Sequence, residues 1–431
     1  MHTLEQLRTG QLQGTTRLDL SAGLSEFPPE IFQLADSLEV LNLSGNRLSQ
    51  LPHDLHRLKH LRVLFCSDNQ FTELPESLGR CEQLSMVGFK ANCIHTVAAT
   101  ALPTSLRWLI LTDNCLERLP EQIGDCVALQ KLMLAGNQLR ELPTRLGDCK
   151  RLELLRIAAN RLSLLPDWLL TMPRLAWLAY AGNPLPEPFS TPHVAGIQAS
   201  VDWAQLRIEQ ALGEGASGVI QQAVLADGRT VALKLYKGEM TSDGSPLNEM
   251  NACIAAGEHP NLIKVIGRLR NHPQHRAGLV MELIDPAFRN LAGPPSLASC
   301  TRDVYPAPLH LRLPAVLRLA SGIAAVAAHL HRQGINHGDL YAHNIQWRED
   351  GQGLLGDFGA ASFYPADDQP ASRALERIEV RAFGVLLGEL LDHVPIAHAA
   401  LRALQNQCVG DDVLSRPGFA EVSRQLQHMT P

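Results

Sequence analysis

Leucines recur with a fixed spacing through the first half of this chain. Segments such as LEVLNLSGN, LRVLFCSDN and LQKLMLAGN alternate apolar and polar positions and end at an asparagine. Seven such asparagines follow one another at intervals of 22 or 23 residues: Asn46, Asn69, Asn92, Asn114, Asn137, Asn160 and Asn183. This alternation predicts a short strand with one buried face in every unit. Because no unit can bury its leucines alone, the units should stack around one continuous core.

The repeating pattern is identified as the leucine-rich repeat. The asparagine of each unit is expected to bond neighbouring backbone at the turn and to form a ladder along the array. The segment RLDLSAGLSEFPPEIFQL resembles an eighth unit without the asparagine, and we expect it to cap the array. The first domain is therefore predicted as an α/β solenoid over residues 1–188, with about eight repeats of 22–23 residues.

Apolar side chains also occupy strand positions that the core of a solenoid does not need. They are Val40, Val63, Phe65, Met86, Trp108, Ile110, Met133, Leu154 and Trp177. A large contiguous apolar patch on a surface usually marks an interaction site. We predict a protein partner on this concave face, contacted by Phe65, Trp108, Met133 and Trp177, with the two tryptophans as anchors. The alternatives are packing of this face on the second half of the chain, or a strand register shifted by one residue.

The leucine pattern stops at a proline-rich segment. Residues 183–192, NPLPEPFSTP, contain four prolines, which favour a stiff and extended connector. We predict a linker over residues 189–202 and a second domain over residues 203–431.

The second domain begins with a glycine-rich hairpin. Gly213, Gly215 and Gly218 lie between two strand-like runs in GEGASG, and the segments that follow, VIQQAVL and TVALKLY, also resemble strands. A strand rather than a helix after the glycines opposes a dinucleotide-binding fold and favours a lid over phosphates. Lys234 lies in the apolar strand VALKLY, sixteen residues after Gly218, where we expect it to bind phosphate.

A buried lysine of this kind needs a carboxylate partner. Glu249 begins an amphipathic helix predicted to end at Gly257, and its position suits an ion pair with Lys234. Glu258 is the alternative partner, but it lies beyond the end of that helix.

The segment AGLVMELID is predicted to be a buried strand with a polar exit. The backbone at Glu282 and Ile284 could bond the edge of an adenine, with Met281 behind it.

Two acidic motifs follow a long apolar helix, LPAVLRLASGIAAVAAHLHRQGI. The loop HGDLYAHN supplies Asp339 and Asn344, and LLGDFGA supplies Asp357 thirteen residues later. An aspartate and an asparagine between apolar segments are most often part of an ordinary turn. Here Asn344 and Asp357 both offer the oxygen ligands that Mg²⁺ prefers. Asp339 is left as a base or an orienting group for an attacking hydroxyl.

In their order and spacing these motifs resemble the eukaryotic-type protein kinase family over residues ~203–425, together with FGVLLGELL and SRPGF. The whole chain resembles a leucine-rich-repeat protein kinase without a membrane span, of the kind found in bacteria and other microbes. The resemblance implies an α+β two-lobed domain, ATP and Mg²⁺ as cofactors, and transfer of the γ-phosphoryl group to protein hydroxyls. Serine and threonine are the expected acceptors. It implies catalytic roles for Lys234, Glu249 and Asp339, and metal binding by Asn344 and Asp357. The expected nucleotide contacts are Leu212, Gly213, Gly215, Gly218, Ile220, Ala232, Lys234, Glu282 and Ile284.

The catalytic motifs depart from the family pattern at two positions of the loop. Gly338 replaces an arginine that pairs with a phosphate on the activation segment in many kinases, which puts switching by phosphorylation in doubt. Tyr341 replaces a lysine found near the γ-phosphate in many serine/threonine kinases.

The segment after the DFG motif is also short. Glu379, where the family usually has an aspartate that anchors the catalytic loop, follows Asp357 by 22 positions. Glu376 is a poor match to the usual Ala-Pro-Glu, and Arg416 would normally pair with that glutamate. These departures leave two alternatives. The first is a pseudokinase scaffold that binds ATP weakly or not at all. The second is a small-molecule kinase, because the motif HGDL also resembles the catalytic motif of that class.

Composition limits the partners and the cellular location that the chain is expected to have. The chain has 431 residues, 45% of them apolar, and a net charge of −6. Neither half has the basic excess that binding to a nucleic acid backbone needs. Residues 317–331 form the longest apolar stretch, which is too short and too interrupted to span a bilayer. Cys81, Cys126 and Cys149 recur at one repeat position as apolar core residues. We therefore expect no nucleic acid partner, no membrane span and a reducing, cytoplasmic location.

Overall fold

The computed structural model describes residues 2–186, 199–215, 217–237, 241, 243–367, 369–396 and 398–429. Two compact units are present, Met1–Met172 and Pro173–Pro431. The division falls inside the predicted repeat domain, and residues 187–198 of the predicted linker region lie outside the described residues. The boundaries predicted for the two domains therefore stay a prediction.

The first unit is a parallel array of short strands. It starts with helix α1 (Leu4–Arg8), where the Thr3 hydroxyl accepts a hydrogen bond from the Gln6 N–H at 3.1 Å. The strands are β1 (Arg17–Asp19), β2 (Val40–Asn42), β3 (Val63–Phe65), β4 (Met86–Gly88), β5 (Trp108–Ile110), β6 (Lys131–Met133) and β7 (Leu154–Arg156). Short 3-10 helices alternate with them: Pro29–Leu34, Leu55–Arg57, Glu76–Arg80, Ala99–Ala101, Glu121–Asp125, Thr144–Asp148 and Leu169–Thr171.

The central residue of each strand points into the core. Leu41 pairs with Leu64 in the parallel ladder, and the same row continues through the later strands. Its members are all buried: Leu41, Leu64, Val87, Leu109, Leu132 and Leu155. Each buried leucine contributes about 1.5–3 kcal/mol relative to an exposed one. The predicted strand register is confirmed, and the alternative of a register shifted by one residue is wrong.

The repeat asparagines join consecutive turns as expected. The side-chain amide of Asn69 donates to the carbonyl of Leu43 at 3.0 Å and to that of Cys66 at 3.1 Å. Its carbonyl oxygen accepts from the Leu48 N–H at 2.9 Å. Equivalent bonds occur at Asn46, Asn92, Asn114, Asn137 and Asn160. One buried side chain thus satisfies backbone groups of two repeats, which is what such groups require.

The recurring cysteines are core residues. Cys81, Cys126 and Cys149 each follow a 3-10 helix and are buried. Burial raises the pKa of Cys81 and of Cys126 to about 11 and that of Cys149 to about 12, so these thiols stay protonated at neutral pH. The prediction that they fill apolar space is confirmed.

The concave face carries less exposed apolar surface than predicted. Trp108 is half-buried, with its indole Nε1 3.3 Å from the sulfur of Met133. Phe65, Val40 and Ile110 are also half-buried. The remaining apolar positions of the first unit, Val63, Met86 and Leu154, are buried.

The second unit begins with β8 (Trp177–Ala179), which carries the seventh copy of the repeat pattern, and continues with a mostly antiparallel sheet and a helical part. The sheet strands are β9 (Ser200–Asp202), β10 (Leu206–Glu214), β11 (Gly218–Leu225), β12 (Thr230–Tyr236), β13 (Val265–Arg270) and β14 (Gly278–Glu282). Their order is β10-β11-β12-β14-β13-β9, with β9 parallel to β13. Helix α2 (Pro246–Ala255) packs on this sheet through Met250 and Ile254. It starts at the Ser245 cap and ends two residues before Gly257, close to the predicted end.

The helical part surrounds a pair of small sheets. Its helices are α3 (Leu313–Arg332), α4 (Pro370–Asp392), α5 (Ala399–Cys408) and α6 (Phe419–Met429). Strands β15 (Arg289–Asn290), β17 (Ile345–Trp347) and β18 (Gly353–Leu355) form one small sheet, and β16 (Ile335–Asn336) pairs with β19 (Ser362–Phe363) in the other. The repeat solenoid and the α+β second domain agree with the predicted fold class.

Helix α3 alone among the described helices is long and apolar enough to cross a membrane by length and composition. It is longer than the apolar stretch seen in the sequence, and most of it is buried within the second unit. Since the core helix of a soluble protein has the same properties, this is weak evidence for a membrane span.

Candidate active site

Lys234 and Glu249 form a buried ion pair. Strand β12 lies between β11 and β14, which places Lys234 opposite Ile220 on one side and Leu279 on the other. The Lys234 side chain is 14% exposed and that of Glu249 is 2% exposed. Burial alone would lower the pKa of Lys234, but the negative charges of Glu249 and Asp357 outweigh burial and raise it. The lysine is therefore held as a cation.

The alternative partner for Lys234 lies elsewhere. Glu258 follows the end of α2 and pairs with Lys264 on the surface at 2.9 Å. The structure thus distinguishes two glutamates that sequence spacing had left open, because only Glu249 lies on the face of α2 that packs on the sheet.

Asp339 and Asn344 are in direct contact. The side-chain amide of Asn344 donates to a carboxylate oxygen of Asp339 at 2.7 Å and to its backbone carbonyl at 2.9 Å. The backbone carbonyl of Asn344 accepts from the N–H of Gly356 at 2.9 Å. Because Gly356 precedes Asp357, this bond brings the two motifs of the sequence to one place.

Glu379 of helix α4 holds the catalytic loop through hydrogen bonds from the loop backbone. The carboxylate of Glu379 accepts from the N–H of His337 at 3.1 Å and from that of Gly338 at 2.6 Å, and His331 Nε2 lies 2.7 Å from it. Burial opposes ionisation of this carboxyl, but the hydrogen bond to His331 and the two histidine rings lower its pKa. The expected anchoring by Glu379, in place of an aspartate, is present.

A small cavity of about 110 Å³ adjoins the ion pair. Its lining includes Lys234, Glu249, Asp357 and Phe358. Met281, expected behind an adenine, also lines it. The cavity therefore connects the lysine, the DFG motif and the end of β14.

The glycine-rich hairpin leaves space at two of its three glycines. A Cβ on Gly213 or Gly215 would meet nothing within 4 Å, whereas one on Gly218 would lie 2.5 Å from the carbonyl of Leu235. Gly218 is therefore needed for close packing on β12. Leu212 beside them is exposed, and Ala216 lies outside the described residues.

The remaining expected nucleotide contacts lie on adjacent strands. Ala232 on β12 pairs with Met281 on β14, so both lie near the exit of that strand. Glu282 and Ile284 line a second cavity of about 600 Å³ beside Lys264. The N–H of Glu282 donates to the carbonyl of Lys264 at 2.9 Å. Its part in binding an adenine edge would therefore fall to its carbonyl oxygen.

Sequence reasoning missed a second carboxylate beside the loop. Asp303 accepts from the backbone N–H of His343 at 3.0 Å, and its other oxygen lies 2.7 Å from Nδ1 of the same residue. Burial alone would lower the pKa of His343, but the bond to Asp303 and the charge of Asp339 raise it. Asp303 lies in an irregular segment 40 residues earlier, so no sequence pattern points to it.

Trp177 is not available as an anchor for a separate partner. Its side chain is 1% exposed, and its indole stacks on the ring of Tyr341 with centroids 4.1 Å apart and planes at 8°. The indole N–H donates to the carbonyl of Leu340 at 3.1 Å. The prediction for this residue is wrong, because its apolar surface is already covered by the catalytic loop.

The expected pairing of Arg416 also differs. Arg416 is buried and donates to the carbonyls of Gly410, Arg377 and Pro173 at 2.8, 3.0 and 2.7 Å. Glu376 accepts instead from the backbone N–H of Phe419 at 2.7 Å.

Known protein families match both parts of the chain. Residues 206–378 match the protein kinase domain and residues 13–71 match the leucine rich repeat. The leaf rust 10 disease-resistance locus receptor-like protein kinase-like 1.3 of Arabidopsis thaliana is 26% identical over 261 residues, which is 52% of this chain and 37% of that protein. The LRR receptor kinase SERK2 of Oryza sativa subsp. japonica is 27% identical over 44% of this chain and 34% of its own length.

This chain is also similar to a kinase that is not described as a receptor. The serine/threonine-protein kinase PITSLRE of Drosophila melanogaster is 28% identical over 50% of this chain and 21% of its own length. The chain thus spans about a third or less of the length of these relatives. The predictions from the two sequence patterns are confirmed at the level of domains: the chain carries leucine-rich repeats followed by a protein kinase domain.

Proposed function

We propose that this chain is an ATP-dependent protein kinase that transfers the γ-phosphoryl group to serine or threonine hydroxyls. The observation that carries the proposal is the buried Lys234–Glu249 ion pair beside Asp357, in the same unit as the Asp339–Asn344 contact. Catalysis of phosphoryl transfer consists mainly of positioning and of charge stabilisation, and these groups supply both. The serine/threonine preference rests on the similarity to the Drosophila serine/threonine-protein kinase.

The side chains of the site are assigned to phosphate binding or to metal binding by their chemistry. Lys234, fixed by Glu249, offers a cation to the phosphates, and the open hairpin around Gly213 and Gly215 leaves room for them. Asn344 and Asp357 offer amide and carboxylate oxygens, a donor set that fits Mg²⁺. Magnesium bound there would neutralise charge on the phosphates.

Asp339 is assigned to the acceptor hydroxyl. Its carboxylate is held by the amide of Asn344, which limits its rotation. A carboxylate in this position orients the hydroxyl and takes its proton as the new phosphorus–oxygen bond forms and the bond from the γ-phosphorus to the departing ADP breaks. The adenine is assigned to the exit of β14, at the carbonyl of Glu282 and the backbone of Ile284, with Leu212, Ile220 and Ala232 beside it.

Radiolabelled ATP with Mg²⁺ and a generic protein acceptor tests the proposal. We expect labelled protein from the native chain and a loss of roughly 10²-fold or more in Asp339→Asn, with nucleotide binding retained. Asp350→Asn is the matched control, because Asp350 pairs with Arg318 on the surface. Labelled protein that persists in Asp339→Asn contradicts the assignment.

The same experiment separates the two alternatives. Bound ATP without labelled protein would favour the pseudokinase scaffold. Label that appears only on added alcohols or sugars would favour a small-molecule kinase.

We further propose that the concave repeat face binds a protein, through Trp108, Phe65 and Met133. The support is that all three side chains are half-buried, that Trp108 and Met133 are in contact on the adjacent strands β5 and β6, and that Phe65 lies on the same sheet two strands away on β3. Trp108→Ala should reduce capture of a partner without unfolding the array, and unchanged capture contradicts the proposal.

A cytoplasmic location also stays a prediction; it is supported by the nine free cysteines.

A further inference from the structure

The catalytic loop is held by a segment that the sequence assigns to the repeats. Residues 173–186, called the terminal repeat below, contain β8 and belong to the same compact unit as the loop. The stacking of Trp177 on Tyr341 places a rigid ring against a residue two positions after Asp339. The indole N–H fixes the carbonyl of Leu340 between them.

The backbone of the terminal repeat also bonds both strands of the β16–β19 pair. Asn336 and Ser362 are direct partners in that pair. The Asn336 amide donates to the carbonyl of Leu178 at 2.9 Å, and the Ser362 hydroxyl accepts from the N–H groups of Tyr180 and Ala181 at 2.9 and 3.1 Å. Asn336, Ser362, Leu178 and Tyr180 are buried, and Ala181 is half-buried.

This pair of strands connects the two catalytic motifs. Asn336 precedes Asp339 by three residues, and Ser362 follows Asp357 by five. The hydroxyl of Tyr180 donates to the carbonyl of Phe363 at 3.2 Å and adds a further bond on the second strand. A displacement of the terminal repeat would therefore act on both motifs at once.

Two unusual residues of the loop are explained by these contacts. Gly338 has φ +73°, and a Cβ there would lie 2.8 Å from the carbonyl of Leu178 and 2.6 Å from that of Ala360. Only glycine fits this close approach of backbone. Tyr341 is the residue that receives the Trp177 ring. Both departures from the kinase pattern thus coincide with contacts to the terminal repeat.

The segment between the DFG motif and helix α4 is short and supports the loop through β19. Helix α4 begins at Pro370, so only residues 358–369 separate it from Asp357. At the other end of the terminal repeat, Arg416 donates to the carbonyl of Pro173 at 2.7 Å. The terminal repeat is therefore bonded at its start, its strand and the turn that follows.

We propose that the terminal repeat is a positioning element of the kinase domain, in which Trp177 holds the catalytic loop and Tyr180 holds strand β19 in their working geometry. Trp177 acts through Tyr341 and Leu340, not by contact with the reacting atoms. The inference rests on the proposed kinase function for its effect on rate, but the contacts can be tested without any catalysis.

Hydrogen exchange on the full chain is the first test, with Trp177→Leu, Trp177→Phe and Trp168→Phe compared with the native protein. Trp168 lies in the first unit, where it precedes a 3-10 helix, and serves as the matched control. We expect faster exchange in residues 336–341 and 362–363 of Trp177→Leu, with β12 and β14 unchanged. Trp177→Phe should retain most of the protection, because it keeps a stacking ring.

Kinetics of the same variants is the second test. Misplacement of a reacting group by about 1 Å costs about 10²-fold in rate, so kcat of Trp177→Leu should fall by up to that factor while KM for ATP stays within about threefold. Trp177→Phe should restore most of kcat, and Trp168→Phe should match the native chain.

The outcomes are distinct. Exchange that is unchanged at 336–341 in Trp177→Leu overturns the inference. Faster exchange across the whole unit also overturns it, since that would show general loss of stability. Tyr180→Phe, which removes one hydroxyl, is a separate test of strand β19: exchange should become faster at residues 362–363 only, and unchanged exchange there contradicts the role of Tyr180. If the native chain transfers no phosphate, the proposed function fails, and the exchange pattern still decides the inference.

Discussion

The carboxylate of Glu379 accepts a hydrogen bond from the N–H of Gly338 at 2.6 Å, across 41 residues of sequence. The residue before Asp339 is thereby tied to the middle of helix α4. Because Glu379 also binds His337 and His331, the position of the loop depends on one buried charge.

Removal of that charge should destabilise the kinase domain. Glu379→Gln keeps the size of the side chain but replaces one carboxylate oxygen by an N–H₂ that faces a backbone N–H donor, because Gly338 donates to one oxygen and His337 to the other. We therefore expect a loss of roughly 1.5–3 kcal/mol in the free energy of unfolding. Denaturant unfolding measures it. Asp392→Asn on the same helix is the control, since Asp392 is exposed and pairs with Arg402 on the surface. Equal stability of the two variants would argue against the anchoring role.

The two candidate glutamates near Lys234 should behave differently. Glu249→Gln leaves the Lys234 cation buried without its counter-charge and should cost roughly 3–5 kcal/mol of stability together with most of the activity. Glu258→Gln removes a surface pair and should change stability by about 0.5 kcal/mol or less. Unfolding curves and phosphorylation rates measured side by side compare them, and similar losses in both would show that Glu249 is not the partner that matters.

Adding a Cβ at Gly338 should lower the free energy of unfolding by more than the strained backbone conformation alone explains. Gly228 has φ +87° with nothing within 4 Å of an added Cβ, so Gly228→Ala should lose about 1–2 kcal/mol from backbone strain. Gly338→Ala should lose that amount and about 1–3 kcal/mol more, because two carbonyls lie in the way. Thermal or denaturant unfolding of both variants gives the difference. Equal losses would mean that the carbonyls move aside freely.

Stability should fall as pH rises from weakly acidic to neutral values because of Glu389. Burial raises the pKa of this carboxyl to about 7, and the nearby charge of Asp303 adds to the effect. One of its oxygens is buried without a hydrogen-bond partner, and the other accepts from the Tyr305 hydroxyl at 3.0 Å. The folded form thus binds the proton more tightly than the unfolded form.

The sign follows from that difference. Between the unfolded pKa of about 4.5 and the folded pKa of about 7, the native state holds more protons, so the free energy of unfolding declines by about 3 kcal/mol across this window. Glu389→Gln should remove this part of the decline and be more stable than the native chain at pH 8. Urea unfolding at pH 5 and pH 8 tests it, and a variant that is less stable at both values contradicts the assignment.

Sequence alone was sufficient for features that depend on local periodicity. The spacing of Asn46 to Asn183 and the alternation of leucines determined the solenoid and its strand register, because every repeat must bury the same face. In the second half, the order of the glycine-rich hairpin, VALK, HGDLYAHN and DFG was enough to predict the kinase domain, since each motif keeps its place on a strand or loop.

Contacts between distant segments were decided only by the tertiary structure. Spacing could not choose between Glu249 and Glu258, because the choice depends on which face of α2 packs on the sheet. It assigned Trp177 to an open surface, since an outward strand position looks the same whether it meets solvent or another segment. The pairing of Asp303 with His343 and the fit of Leu178 against Gly338 join residues 40 and 160 positions apart, and no local pattern records such distances. Local sequence patterns therefore specified the domains and their motifs, and long-range packing specified which side chains pair and which surfaces stay exposed.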